Sequence, residues 1–420
     1  MATTPAPLDS IEGKSTNASE KCVEKLLDLS DLGITRVNRS LISDRISGTC
    51  LKSLLLQGNR IQEFEEGIFS NFTDLEYLDL ARNDLTEATL FSFGSVPSLK
   101  TLILDWNQRK GEQFTLDKKV YFPEVTHLSL QAINGSSPVA INWSEYFPKI
   151  EELDVSGNRL APLDDFFNNI PSTLRSLTMK DVGLEKLRIQ NLKNVTSLEL
   201  DGNNFRSIKG SSCDEDSLCL ENLDGLESLS LRLCNIKLIE EHAFEHLTKL
   251  SYLDISFNEI TRISSGTFGH SPALSYLDIS DDLLVNVSFI SELKNLTTLR
   301  MDHVWDRRAF TESLFSVSSV PTKIQILSLK FNGISSIPPR FLDNLQDLRE
   351  IDLSFNRISS LSPGSWQRNL KVINLNNNNV SKIEDLHLSE ARSLELLDLR
   401  GNELVSSDPE VIKALPEKVE

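Results

Sequence analysis

Hydrophobic residues recur along this chain at a fixed interval. The segment from Leu51 to Ile61 has the pattern L-x-x-L-x-L-x-x-N-x-L, with isoleucine at the last position. A degenerate earlier copy runs through Leu27, Leu29 and Leu32, and the commonest spacing between copies is 24 residues. Fifteen copies begin at Leu51, Leu75, Leu99, Val125, Ile150, Leu174, Val195, Leu226, Leu250, Leu274, Leu296, Ile324, Leu348, Leu370 and Leu394. A period of this length predicts a repeat architecture.

The pattern also predicts how the copies are arranged. The fourth position is Leu in thirteen copies and Ile in two, and the sixth is aliphatic or Met in all fifteen. Side chains alternate along a strand, so these residues share one side that a single copy cannot bury. We therefore predict an α/β solenoid of about 16 repeats, a curved horseshoe with a parallel β-sheet on its concave face.

Two further positions of the unit carry a structural prediction. Phe69, Phe93, Phe244 and Phe268 each follow the first residue of their copy by eighteen residues, so they should fill the core from the convex side. A buried amide can donate and accept hydrogen bonds where the chain leaves the strand. Ten copies have this asparagine, namely Asn59, Asn83, Asn107, Asn158, Asn203, Asn258, Asn332, Asn356, Asn378 and Asn402. Cys234 takes this position in its own copy, which predicts a buried free thiol.

The unit resembles the extracellular leucine-rich repeats of Toll and Toll-like receptor ectodomains. The segment from Leu250 to Leu274, LSYLDISFNEITRISSGTFGHSPAL, is a close instance, and the resemblance covers about residues 51–404. Secreted and adhesion proteins share the same unit. The resemblance implies recognition of a protein or microbial ligand, with dimerisation on engagement, and the array is expected to occupy 51–404.

The cysteines predict how the ends and the longest insertion are organised. Residues 1–20 are expected to form a flexible tail and 405–420 a C-terminal tail. Residues 21–50 are expected to form an N-terminal cap that includes the degenerate first repeat. Cys22 and Cys50 lie at its two ends, and a disulfide between them would hold the cap over the exposed end of the core. Cys213 and Cys219 lie in a polar insertion, 209–222, where they can form a small disulfide ring and the loop is a candidate ligand contact.

Charge and glycosylation signals bear on the compartment. The net charge of −18 disfavours a nucleic-acid partner. No apolar run approaches the roughly 20 residues that span a bilayer, so membrane attachment would need segments absent from this chain. Secretion would likewise need a signal peptide, which is absent from this chain. Nine N-x-S/T sequons favour an extracellular or cell-surface glycoprotein. They are Asn17, Asn38, Asn71, Asn134, Asn142, Asn194, Asn286, Asn295 and Asn379.

Outward positions of the predicted strands supply the candidate ligand-binding residues. Exposed aromatic side chains on a rigid sheet are typical binding anchors. The candidates are Tyr252, Asp254, Phe257, Tyr276, Asp278, Phe331 and Phe355. Tyr252 and Tyr276 should be neighbours, as should Phe331 and Phe355. The aspartates belong to a column of seven acids that is also common in this class of repeat, and the phenylalanines could equally pack locally.

No catalytic motif is present, so we predict no enzyme activity, no cofactor and no metal. His242 and His246 are four residues apart, which alone rarely makes a metal site. The first hypothesis is a Toll-like receptor ectodomain that binds a protein ligand or co-receptor, with homodimer and heterodimer both left open. The alternatives are a soluble or adhesive extracellular repeat protein without signalling, and a cytosolic repeat regulator.

Overall fold

The chain winds into a solenoid in which each turn adds one strand to a long parallel sheet. The computed structural model describes residues 26–43, 51–65, 67–86, 89–107, 120–133, 142–160, 163–189, 192–210, 217–304, 311, 313–314, 321–405 and 418–419. The long sheet follows chain order through Leu26–Asp28, Ser53–Leu55, Tyr77–Asp79, Thr101–Ile103, His127–Ser129, Glu152–Asp154, Ser176–Thr178, Ser197–Glu199, Ser228–Ser230, Tyr252–Asp254, Tyr276–Asp278, Thr298–Arg300, Ile326–Ser328, Glu350–Asp352, Val372–Asn374, Leu396–Asp398 and Lys418–Val419.

The register of the long sheet pairs equivalent positions of successive repeats. Leu54 pairs with Leu78, and Leu253 pairs with Leu277. All fifteen residues at the fourth position and all fifteen at the sixth are buried, which makes one continuous apolar core. The predicted α/β repeat solenoid is therefore confirmed, with the degenerate first copy supplying the strand Leu26–Asp28.

The back of the solenoid, opposite the long sheet, is built from shorter elements. A five-stranded sheet has the order Leu187–Arg188, Ser217–Cys219, Ser207–Lys209, Leu238–Ile239 and Arg262–Ile263, and a pair joins Arg36–Val37 to Glu63–Phe64. The described short helices are Arg39–Ser43, Trp143–Tyr146, Leu163–Asn168 and Pro339–Leu342, with 3₁₀ turns at Ser288–Glu292, Ser365–Gln367, Ile383–Leu386 and Leu388–Glu390.

The convex phenylalanines fill the core as predicted. Phe69, Phe93, Phe244 and Phe268 are all at most 1% exposed. The rings of Phe244 and Phe268 stack with centroids 5.5 Å apart, and those of Phe69 and Phe93 meet edge to face at 5.7 Å. The repeat therefore closes its core with aromatic contacts between successive turns.

The asparagine ladder also has the predicted chemistry. The amide nitrogen of Asn83 donates to the carbonyl oxygens of Leu56 and Leu80, each at 3.0 Å. Its Oδ1 accepts the backbone N–H of Ile61 at 3.0 Å. Each side chain therefore joins its own turn to the preceding one, at the point where the backbone leaves the sheet. We call this position the asparagine slot.

The residue immediately before the asparagine slot has a left-handed backbone in all sixteen copies. Its φ lies between 47° and 72° whatever the side chain. Its N–H continues the ladder, as when that of Phe257 donates to the carbonyl oxygen of Ser280 at 2.9 Å. This left-handed column consists of Asp31, Gly58, Arg82, Trp106, Ala132, Gly157, Asp181, Gly202, Leu233, Phe257, Asp281, His303, Phe331, Phe355, Asn377 and Gly401.

The insertion differs in part from the expected polar loop. Its end, Ser217–Cys219, is a buried strand between Leu187–Arg188 and Ser207–Lys209 at the back of the solenoid. The alternation of Ser217, Leu218 and Cys219 suits a strand that contributes Leu218 to the core. These insertion residues therefore add one strand to the back sheet, and the residues around Cys213, the candidate ligand contact, lie outside the described residues.

The segment expected to be a C-terminal tail contributes to the long sheet. Lys418–Val419 pairs in parallel with Leu396 and Leu397 of the preceding strand. Leu396–Asp398 is thereby paired on both sides.

Candidate functional site

Two tyrosines from neighbouring repeats form a stacked pair on the open side of the long sheet. Tyr252 and Tyr276 are paired in register, and their rings lie 4.3 Å apart at 13° to one another. Both are half-buried, and this burial raises the pKa of each phenol. Both phenols are therefore neutral hydrogen-bonding groups at physiological pH, set on a flat aromatic surface. We call this pair the tyrosine patch.

The aspartates beside the tyrosine patch bond to the turn that follows each strand. Oδ1 of Asp254 accepts the backbone N–H of Ser256 at 3.0 Å and its hydroxyl at 2.6 Å. Oδ1 of Asp278 accepts the N–H of Ser280 at 3.0 Å. Asp254 is only 5% exposed, and burial raises the pKa of its carboxyl.

The same contact explains much of the acidic column that the sequence shows. Oδ1 of Asp79, Asp154, Asp352 and Asp398 likewise accepts the N–H two residues on, at 2.9–3.0 Å. Such contacts satisfy backbone groups at the end of a strand. The column therefore has a structural role in the turns, and a role of Asp254 or Asp278 in ligand binding remains a prediction.

The predicted phenylalanines all belong to the left-handed column. Phe257, Phe331 and Phe355 are 40–43% exposed. Phe331 and Phe355 stack with centroids 4.1 Å apart, and the Arg232 guanidinium carbon lies 5.1 Å from the centre of the Phe257 ring. The sequence left open whether these phenylalanine rings pack locally or are exposed. In the structure they do both.

The structure arranges the candidate residues in two groups at different places along the solenoid. Tyr252, Asp254, Phe257, Tyr276 and Asp278 belong to two adjacent repeats. The stacked pair Phe331 and Phe355 lies further along the solenoid, in the second repeat beyond that of Tyr276 and in the one after it.

Sequence reasoning missed the residues that lie between these two groups. Asp281 and His303 occupy the left-handed column there, with Asp281 Oδ1 2.6 Å from His303 Nδ1. Two further apolar members of the column, Trp106 and Leu233, are 48% and 60% exposed. The signal that could have found them is their fixed place directly before the asparagine slot.

The cysteines divide into those the structure describes and those outside the described residues. Cys234 is free and buried in the asparagine slot, as predicted, and burial raises the pKa of its thiol to about 12. Cys219 is disulfide-bonded. Cys22, Cys50 and Cys213 lie outside the described residues, so the pairings remain predictions.

The sequons that can be placed are all on the surface. Asn38, Asn71, Asn142, Asn194, Asn286, Asn295 and Asn379 are exposed and lie outside the strands of the long sheet. Asn17 and Asn134 lie outside the described residues. The open side of the long sheet is thus free of these seven asparagines, and glycosylation itself stays a prediction.

One group of side chains at the back of the solenoid has donors suited to a metal. The ligand atoms of His242, Glu245 and His270 lie within 4.8 Å of one another. Two imidazoles and a carboxylate are a donor set that zinc accepts. The sequence pair His242 and His246 did not reveal this group, because His270 comes from the next repeat. All three side chains are exposed, and no second feature of the described chain requires a metal there.

None of the helices that the structure describes is both long and apolar enough to cross a bilayer.

Comparison with known proteins identifies the repeat. A family model for leucine-rich repeats matches residues 49–108, 224–284 and 322–369, and a second matches 393–415. Mouse CD180 antigen is 26% identical over 247 residues, 56% of this chain and 36% of that protein. Tsukushi of Gallus gallus is 30% identical over 213 residues, 49% of this chain and 56% of that protein. The chain thus spans about a third of the length of one of these curated relatives and little more than half of the other.

Solved structures show the same fold. The receptor in a TLR13–ssRNA13 complex matches with a TM-score of 0.60 and 20% identity, over 91% of this chain and 60% of that one. Toll in the Toll–Spatzle complex of Drosophila matches with a TM-score of 0.50 and 16% identity, over 88% of this chain and 42% of that one. The chain is a leucine-rich-repeat protein, and its solenoid resembles the ectodomains of Toll-like receptors in fold.

Proposed function

We propose that this chain is an extracellular ligand-recognition module of the Toll-like receptor type, acting in innate immune signalling and binding a protein on the open side of its long sheet. The tyrosine patch carries the proposal. It presents two stacked rings on a rigid surface, where aromatic side chains lose little conformational freedom on binding. Half-exposed aromatics in such a position are typical interface anchors.

The accessible face supports a large partner rather than a small molecule. The described sequons all lie away from the long sheet, which leaves that face open to contact. The chain's acidic balance favours a protein ligand or co-receptor over a nucleic acid. Toll is solved in complex with Spatzle, and CD180 and Tsukushi are relatives of this chain. We expect no catalysis, although adenylate cyclase of Schizosaccharomyces pombe is 25% identical over 383 residues, which are 22% of that enzyme.

A second candidate is a soluble or adhesive extracellular protein that makes the same contacts without signalling. The exposed sequon asparagines outside the long sheet support this candidate as well as the first, because both are extracellular. A transcript that continues into a membrane span and a signalling domain would favour the receptor.

The tyrosine patch can be tested directly. A partner captured from conditioned medium by the intact chain should bind Tyr252→Ala/Tyr276→Ala about tenfold more weakly, which is about 1.4 kcal/mol. The unfolding midpoint should move by only a few degrees, since both rings are half-exposed. Biolayer interferometry measures the affinity.

The matched control removes two tyrosines elsewhere. Tyr77 lies on a distant strand of the same sheet and Tyr121 is 47% exposed outside it. Tyr77→Ala/Tyr121→Ala should therefore keep the affinity. Equal affinity of the patch variant and the intact chain would remove this patch from the proposed function.

A further inference from the structure

A groove runs along the left-handed column between two of its exposed phenylalanines, Phe257 and Phe331. Phe257 and Phe331 stand at its two ends, three repeats apart, which corresponds to about 14 Å at the usual strand spacing. Between them the lining is almost wholly polar. It consists of Asp278, Ser280, Asp281, Asp302, His303 and Lys330.

The floor of the groove has more carboxylates than cations. Oδ2 of Asp302 lies 3.5 Å from the Lys330 ammonium, while its Oδ1 accepts the Lys330 backbone N–H at 2.8 Å. Asp281 bonds to His303, and Oδ1 of Asp278 accepts one backbone N–H. Three carboxylates face a single lysine, so with a neutral imidazole the floor has a formal charge of −2.

The aromatic ends occupy positions where phenylalanine is locally unfavourable. A left-handed backbone suits Gly and Asn, and the column has these at Gly157 and Asn377. Phe257 and Phe331 have φ of 57° and 58° and expose two-fifths of their surface to water. Exposed aromatics held in a strained conformation indicate a surface kept for contact rather than for folding.

The chain itself shows which group these rings accept. The guanidinium of Arg232, from the preceding repeat, lies 5.1 Å from the centre of the Phe257 ring. The groove begins on the other side of Phe257, with the repeats that follow it. A cation there would meet an aromatic ring and carboxylates together, as cation-binding pockets in proteins do.

We propose that this groove binds an arginine side chain presented by a basic segment of a protein partner. The inference rests on the proposed function, since it takes the partner to be a protein that approaches the open side of the long sheet. Charge complementarity selects the occupant. The carboxylates attract the guanidinium, and the flanking rings favour a planar, weakly hydrated cation over an ammonium ion.

A defined peptide tests the groove without the physiological partner. Fluorescein-labelled nona-arginine is titrated with the intact chain and followed by fluorescence anisotropy at about 0.15 M salt. Asp281→Asn/Asp302→Asn should weaken binding about tenfold. Asparagine keeps Oδ1 to accept the same hydrogen bonds, and at position 281 it suits the left-handed backbone, so the fold is retained.

A charge-matched control separates the groove from general attraction to an acidic chain. Asp74 and Asp347 are exposed, and Asp74→Asn/Asp347→Asn removes the same charge outside the groove. This variant should change the peptide affinity less than about twofold. Equal losses in both aspartate variants, or no loss in either, would overturn the proposal.

The aromatic ends have their own test at constant charge. Phe257→Asn/Phe331→Asn uses the residue that the column already has at Asn377, and it should weaken nona-arginine binding about fivefold. Nona-lysine should bind the intact chain more weakly than nona-arginine and lose less in this variant. Unchanged nona-arginine affinity in this variant would overturn the role of the rings.

Failure here is distinguishable from failure of the proposed function. If the groove variants leave nona-arginine affinity unchanged while binding of the captured protein still depends on Tyr252 and Tyr276, arginine recognition is wrong and protein binding stands. If the peptide result holds but no protein depends on the tyrosine patch, the groove stands and the proposed binding face is wrong.

Discussion

Each turn of the solenoid sets two residues with opposite requirements side by side. The asparagine slot is buried and needs a side chain that both donates and accepts, as Asn83 does. The residue before it is turned outward in a left-handed conformation. A non-glycine residue in this conformation costs about 1–2 kcal/mol of folding free energy. The turn imposes the conformation in all sixteen copies, whatever the side chain. The first position maintains the fold, whereas the second accepts many kinds of side chain.

Asp282 is the exception that tests this account of the slot. It is fully buried where other repeats have asparagine, and its Oδ1 accepts the N–H of Ile260 at 2.8 Å. No residue in the described part of the chain bonds to its Oδ2. Burial raises the pKa of Asp282 well above its usual value, and the nearby carboxylate of Asp281 raises it further.

Asp282→Asn should therefore stabilise the protein at neutral pH. An acid with a raised folded-state pKa holds more protons when folded than when unfolded. Its favourable contribution is complete below the unfolded pKa of about 3.9 and declines as the pH rises toward the folded pKa. The variant should gain about 1–3 kcal/mol at pH 7 and little at pH 4. Thermal unfolding of both proteins across this pH range measures the difference.

The reverse exchange provides the control. Asn356 donates to three backbone carbonyls from the same slot, and its Oδ1 accepts two N–H groups. Asn356→Asp should acquire the pH dependence that Asp282→Asn loses. A gain for Asp282→Asn that is the same at pH 4 and pH 7 would mean that the buried carboxyl is not the cause.

At this scale the sequence predicts the buried residues better than the exposed ones. The asparagine slot is visible because one residue type recurs at one spacing. The left-handed column is not, because residues as different as Arg82, Trp106 and Leu233 occupy it beside glycine. Its left-handed φ is set by the turn and by the backbone hydrogen bonds between repeats, so no particular residue type marks the position.

The strands show what a repeat gains from its neighbours. Most have only three residues, and an isolated strand of that length would not persist in water. Stacking supplies each with a partner on both sides along most of the array. The strand Ser217–Cys219 lies between two others at the back of the solenoid and is also tied by the disulfide of Cys219.

Loss of that disulfide should loosen the back sheet locally. In Cys219→Ser, the amides of Ser207–Lys209 should exchange hydrogen faster, because they pair with the strand that the disulfide holds. Amides of the long sheet in the same turn, Ser197–Glu199, should be unaffected. Exchange followed by mass spectrometry resolves these segments.

Cys234→Ser is the matched variant, because it alters a free buried thiol of a neighbouring turn. It should leave exchange at Ser207–Lys209 unchanged. If Cys219→Ser also left that exchange unchanged, the disulfide would have no part in holding the inserted strand.

The length of the insertion, but not its structure, was open to prediction. A spacing of 31 residues from Val195 to Leu226 shows that material has been added to one turn. The polar residues around Cys213 suggested a surface loop. The strand Ser217–Cys219 depends instead on the unpaired edges of two other short strands, which a local pattern does not show.

The whole molecule divides its surface by role. The seven described sequon asparagines lie outside the strands of the long sheet, whereas the tyrosine patch lies on those strands and the groove lies at their carboxyl ends. The sequence predicted the sheet, the stacked tyrosines and the stacked phenylalanines, because a fixed register makes equivalent positions neighbours. It did not predict the groove, which combines four repeats and three different positions of the unit.

Glycosylation tests the extracellular assignment for the molecule as a whole. The protein secreted from a eukaryotic host should lose several kilodaltons of mass when its N-linked glycans are removed enzymatically, because exposed sequons are accessible to the transferase. Intact-mass measurement before and after treatment gives the result. An unchanged mass would argue for the cytosolic alternative.

We propose that the open side of the long sheet, and not the back of the solenoid, contacts the partner. Hydroxyl-radical footprinting of the captured complex measures this most directly, because aromatic side chains on both sides report their own exposure. We expect Tyr252, Tyr276 and Phe331 to become protected in the complex, while Tyr121 keeps its reactivity. Unaltered reactivity of all three in a saturated complex, with protection confined to the back of the solenoid, would contradict it.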